Sequence, residues 1–123
     1  MQLPVRDGFI TNLKLDSSLF EKRVGIDISA QYDFNVFSCS DGKVLKVFKL
    51  SSESMYTVVI KFGNRSFVYS QLDTSRVRPG QYVKEGDVIG LKMVNEKVFY
   101  KYMSFAVYEG NKELPAKNFL KYR

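Results

Sequence analysis

Apolar and polar residues alternate along most of this chain with the two-residue period of a β-strand. The pattern is sharpest over Arg23–Ala30. Val24, Ile26, Ile28 and Ala30 fall on one face of that stretch, and Arg23, Gly25, Asp27 and Ser29 on the other. The apolar face belongs in a core. The opposite face carries a lone carboxylate beside a glycine, where backbone or ligand can approach closely. The same patterning predicts strands over Phe9–Leu13, Phe34–Cys39, Lys43–Leu50, Met55–Phe62, Ser66–Leu72, Asp87–Met93 and Lys97–Tyr108. Val58, Ile60 and Phe62 share one face. Phe99, Met103, Phe105 and Val107 share the core face of the last long strand, which leaves Tyr100, Tyr102, Ser104 and Ala106 on the other. Ser40-Asp41-Gly42 predicts a hairpin turn, and Gly63-Asn64, Arg78-Pro79-Gly80 and Gly110-Asn111 predict further turns. Residues 15–22 predict a loop or short helix, and Pro115–Leu120 a closing helical turn. Many short strands with almost no helical periodicity mean an all-β fold, a sandwich or folded-over antiparallel sheet.

Composition agrees with one domain over residues 1–123: 45% of residues are hydrophobic and 26% charged, enough for a core without staples. Nineteen Lys and Arg against thirteen Asp and Glu give a net charge of +6, which invites anionic partners. The lysines (among them Lys43, Lys46, Lys49, Lys61 and Lys84) are scattered, not massed in a tail. A single cysteine, Cys39, excludes an intramolecular disulfide and a multi-cysteine zinc site. It lies in an apolar run and the chain holds no histidine to activate it, so a buried thiol is expected. No apolar run approaches the ~20 residues of a membrane-crossing helix. Residues 1–8 do not have the pattern of a signal peptide. The expected location is extracytoplasmic, at the envelope, if a signal or anchor was removed from this sequence, and cytoplasmic otherwise.

The order of short motifs resembles the lysostaphin-type (LytM-like) zinc endopeptidases. Leu3-Pro4-Val5, Gly8 and Thr11 come first, followed by Gly25-Ile26-Asp27-Ile28 and Asp41-Gly42-Lys43-Val44. Phe67–Leu72, the double-glycine segment Val77–Gly90, Tyr102–Val107 and Leu114-Pro115 complete the series in the same order. The resemblance covers essentially the whole chain, and Val77–Gly90 is its most specific piece. It implies a groove over an antiparallel β-sheet with one zinc ion at its floor, and cleavage of peptide cross-links in bacterial cell walls. The family's ligands are the His and Asp of an H-x-x-x-D pattern and the second His of an H-x-H. The first His of that H-x-H and the His of a Tyr-x-His-Leu pattern assist catalysis.

Position by position, little of that chemistry is kept. H-x-x-x-D falls on Arg23 and Asp27, Tyr-x-His-Leu on Tyr69-Ser70-Gln71-Leu72, and H-x-H on Tyr102 and Ser104. The degenerate site is therefore Arg23, Asp27, Gln71, Tyr102 and Ser104. Catalytic zinc takes three protein ligands from His, Cys and carboxylate, and here only Asp27 qualifies. Arg23 is a permanent cation, and Gln71 cannot take up a proton near neutrality. The expectation is no catalytic residue, no metal and no cofactor, with zinc lost. Arg23 is expected to fill the vacated space and pair with Asp27, which requires a bend near Gly25 because four strand residues span ~13 Å. Tyr69, Lys92, Tyr100 and Lys101 are candidates to line a rebuilt binding groove, and the alternative is that the tyrosines plug the old site.

The expected function is a catalytically inactive module that binds or scaffolds at the bacterial envelope. Its partner would be peptidoglycan or an envelope protein such as a cell-wall hydrolase. Two alternatives stand beside it. One is a basic β-domain binding nucleic acid, which composition permits and no motif supports. The other is an enzyme with an unrecognised site. Leu91-Lys92-Met93 also resembles a lipoyl- or biotin-carrier motif, but its lysine follows the double-glycine segment where a carrier would have it earlier.

Overall fold

The computed structural model describes residues 9–13, 26–29, 33–49, 55–93 and 102–116, with the backbone alone at 9–13, 27, 29 and 102. The described strands are β1 (Phe9–Leu13), β2 (Ile26–Ser29), β3 (Phe34–Phe37), β4 (Gly42–Lys49), β5 (Tyr56–Phe62) and β6 (Arg65–Leu72). After them come β7 (Thr74–Ser75), β8 (Tyr82–Val83), β9 (Val88–Lys92), β10 (Tyr102–Glu109) and β11 (Lys112–Leu114). Every pairing is antiparallel. An eight-stranded sheet runs β1-β2-β10-β6-β5-β4-β8, with β11 beside the far end of β10, and a three-stranded sheet runs β3-β9-β7. No α-helix occurs among the described residues, and the expected closing turn over residues 117–120 lies outside them.

The core lies between the two sheets. Ile26 and Ile28 of β2, Val58 and Ile60 of β5, Phe67, Tyr69 and Leu72 of β6, and Met103, Phe105 and Val107 of β10 are buried. Phe34 and Val36 of β3 and Ile89 of β9 join them from the smaller sheet. Phe105 stacks on Phe67 with ring centroids 6.4 Å apart and meets Tyr69 at 5.2 Å. Burying a side chain of this size stabilises the fold by about 1.5–3 kcal/mol. These contacts bind the central strands β10 and β6 to each other.

Two expectations need correction. Ser40-Asp41-Gly42 is not a hairpin, because β3 and β4 belong to different sheets. The segment after β3 pairs instead with the turn before β9: Ser38 N–H donates to Asp87 O at 2.8 Å, and Gly86 N–H donates to Ser38 O at 2.8 Å. Asp41 serves that turn too, since its Oδ1 accepts the Glu85 N–H at 2.8 Å. Phe62 does not share the burial of Val58 and Ile60; it ends its strand 56% exposed. Within the double-glycine segment, Gly90 is required by close approach: a Cβ there would lie 2.7 Å from the Thr74 carbonyl oxygen and 2.8 Å from Leu72 Cδ1.

Candidate functional site

The strands β2, β10 and β6 lie side by side in the middle of the large sheet. Their inner face is fixed by Ile26, Ile28, Met103, Phe105, Phe67 and Tyr69, all buried. Alternation then sends the intervening positions to the outer face. Ser104 pairs with Asp27 on one side and with Ser70 on the other, and Tyr102 pairs with Ser29. Directly opposed residues in such ladders have Cα atoms about 4.5–5.5 Å apart. Asp27, Ser104 and Ser70 therefore form one row across three strands, with Gln71 next along β6 and Tyr102 two residues along β10. Arg23, Tyr100 and Lys101 lie outside the described residues, as does the side chain of Asp27, so the Arg23–Asp27 pair stays an expectation.

Gln71 carries a feature that no sequence pattern announced. Its φ is +66°, the left-handed region that non-glycine residues rarely occupy. Over this stretch Tyr56 pairs with Leu72 and Val58 with Tyr69, so β6 holds one residue more than β5. Such a bulge sharpens the local twist and re-aims the side chains beside it.

The donor set does not fit a catalytic zinc ion. Of the three positions that would supply ligands, one is arginine, one aspartate and one serine. Only the aspartate is an ordinary zinc ligand. Among the described residues no group of three His, Cys, Asp or Glu side chains comes together.

Two residues expected at the groove are in the core instead. Tyr69 is completely buried, because β6 turns it inward against Phe105. Its hydroxyl accepts the Cys39 backbone N–H at 3.0 Å and donates to Cys39 Sγ at 3.2 Å. Burial pushes the Cys39 thiol up to about 12, against the pull of its hydrogen bond from Tyr69, and holds the tyrosine hydroxyl well above its ordinary range. Both groups are neutral and out of reach of a ligand. Lys92 is buried too: its Nζ lies 3.7 Å from Asp73 Oδ2 and 3.6 Å from Met55 Sδ. Burial lowers its pKa, and the Asp73 carboxylate partly offsets that. Sequence alternation shows which side of a strand a residue takes, but not that a tyrosine hydroxyl or a lysine ammonium finds partners inside.

A second surface was missed. Lys43, Lys61, Phe62, Tyr82 and Lys84 line a cleft of about 510 Å³ at the β4–β8 end of the large sheet. Tyr82 is 76% exposed, with the Lys43 ammonium 5.5 Å from its ring centroid. The signal available was the turn signature at Pro79-Gly80, which brings Tyr82 beside Lys43.

Comparisons with known proteins agree with this frame. Residues 21–115 match Peptidase family M23. A chain of the SpoIIQ–SpoIIIAH pore forming complex superposes with a TM-score of 0.75 at 23% identity, covering 98% of this chain and 90% of its own. A zinc containing peptidase from Vibrio cholerae gives 0.70 at 28% identity, covering 91% of this chain and 36% of its own. The antimicrobial peptidase lysostaphin from Staphylococcus simulans gives 0.74 at 17% identity, covering 90% and 49%. No curated protein matches significantly. The family match spans most of the chain, and the chain contains no histidine. The chain belongs to peptidase family M23, as a degenerate member.

Proposed function

We propose that this chain is a non-catalytic M23 domain that binds a partner at the bacterial cell envelope. The observation that carries the reading is the row Asp27–Ser104–Ser70 with Gln71 beside it. Its backbone register is intact, but its side chains cannot hold a hydrolytic zinc or accept a proton near neutrality. A zinc peptidase needs both a metal-polarised water and a base. Retention of the frame without the chemistry favours selection for a surface. Arg23 pairs with Asp27 in this reading, and Tyr100, Tyr102 and Lys101 line what is left of the groove.

Likeness to a chain of the SpoIIQ–SpoIIIAH complex supports a protein as partner. A net charge of +6 suits an anionic wall as well. No described helix is long and apolar enough to cross a membrane, and the envelope location rests on the family alone. The test is retention of the purified chain on peptidoglycan sacculi and on immobilised envelope proteins, with the eluted sacculi checked for released peptides. Retention without release is expected. Release of wall peptides, or failure to be retained by either matrix, would sink the reading.

A further inference from the structure

The strand β4 is fully paired on one side only. Along β5 its partners run from Lys43↔Lys61 to Lys49↔Tyr56, with a bulge at Leu45. On its other side β8 covers Gly42 and Lys43 alone. The loop before β8 takes the next residue: Val44 N–H donates to Gln81 O at 2.8 Å, and Val44 O accepts the Gly80 N–H at 2.7 Å. Beyond Val44 no strand lies outside β4 among the described residues. Since Val44 spends both groups on that side, alternation past the bulge points the Val47 N–H and C=O outward next.

This edge is lined for an occupant. Leu45, Lys46, Val47, Phe48 and Pro79 enclose a groove of about 400 Å³, in which Leu45 is 47% and Phe48 38% exposed. Lysine and a bulge are ordinary protection against edge-to-edge aggregation. Exposed leucine and phenylalanine are not, and they mark the edge for use. Charge then chooses the occupant. Lys43, Lys46 and Lys49 recur along β4, and Lys61 stands across from Lys43. A second copy of this strand would bring two lysine-rich edges together, whereas cross-strand pairs of opposite charge are favourable.

We propose that a partner protein adds a strand to β4 along Leu45–Phe48, with acidic residues alternating with apolar ones. The inference deepens the binding role above by naming where the partner pairs, and rests on it. An acetylated, fluorescently labelled decapeptide of alternating Glu and Val tests it, with a Lys–Val peptide, polyglutamate and a Glu–Val peptide N-methylated at alternate amides as controls. Saturable binding of the Glu–Val peptide is expected, weakened about tenfold or more by N-methylation, since one edge loses its donors. Lys46→Glu, at an exposed position, should weaken the preference for the Glu–Val peptide over the Lys–Val peptide, with unchanged thermal unfolding as the check on folding. Equal binding of the N-methylated peptide would overturn the proposal. So would equal binding of polyglutamate, which reads charge alone, an unchanged preference in Lys46→Glu, or no saturable binding at millimolar peptide. Any of these would leave the non-catalytic reading standing, whereas release of wall peptides would sink that reading without touching the edge.

Discussion

Replacing Tyr69 with phenylalanine removes one oxygen from a fully buried site and changes the packed volume very little. That oxygen is the acceptor for the Cys39 backbone N–H at 3.0 Å and the donor to Cys39 Sγ at 3.2 Å. The ring stays on Phe105, so the packing contribution survives. What is lost is the partner of a buried N–H, and leaving such a donor unsatisfied costs about 1–3 kcal/mol. The bond to sulfur is weak and adds little. About 2 kcal/mol of destabilisation follows. For a domain of this size that lowers Tm by roughly 8 °C, at about 4 °C per kcal/mol. Urea unfolding of the wild type and of Tyr69→Phe measures it directly. A cycle with Cys39→Ala separates the two bonds: the backbone N–H remains in that variant, so Tyr69→Phe should cost nearly as much there. A loss below about 0.5 kcal/mol would mean that the Cys39 N–H is not left unsatisfied, and strong coupling to the thiol would show that sulfur, not the amide, is the partner that matters.

Cys39, buried and with its thiol pushed up to about 12, should resist a thiol reagent at pH 8 until urea unfolds the chain; labelling of the folded protein would contradict its placement. Gln71→Gly should stabilise by up to about 1 kcal/mol in urea, because glycine accepts the left-handed backbone without a steric cost. Destabilisation would mean that the glutamine side chain makes contacts worth more than the strain. Lys92 has a lowered folded pKa. Between that value and its ordinary one near 10.5 the unfolded chain holds more protons, so its contribution to stability rises with pH across that alkaline window. Lys92→Met should remove this rise from the difference between the two unfolding curves measured from pH 7.5 to 10; an unchanged slope would contradict the burial of the ammonium.

Alternation made much of the fold legible. Ile26 and Ile28 are buried, and so are Met103, Phe105 and Val107, because a strand that packs on one face has no other way to sort its side chains. Ser104 and Asp27, far apart along the chain, are opposed by the register of β10 on β2. Local signals failed where the deciding partner was distant in sequence. Asp41-Gly42 has the composition of a hairpin, yet the backbone before it bonds to residues 86 and 87 and the chain changes sheets. Tyr69 and Lys92 carry polar tips that suggested a groove, but Cys39 and Asp73, far away along the chain, satisfy those tips inside. Gln71 holds a backbone conformation set by the one-residue mismatch between β5 and β6, which no composition rule encodes.

The proposal that zinc chemistry is absent from this M23 frame is open to direct measurement. Elemental analysis of the purified chain after incubation with equimolar zinc and desalting, run beside an assay for release of peptides from sacculi, tests it most directly. Far less than one zinc per chain is expected, with no release above a chelator-treated control. One tightly held zinc per chain with chelator-sensitive release of wall peptides would contradict it.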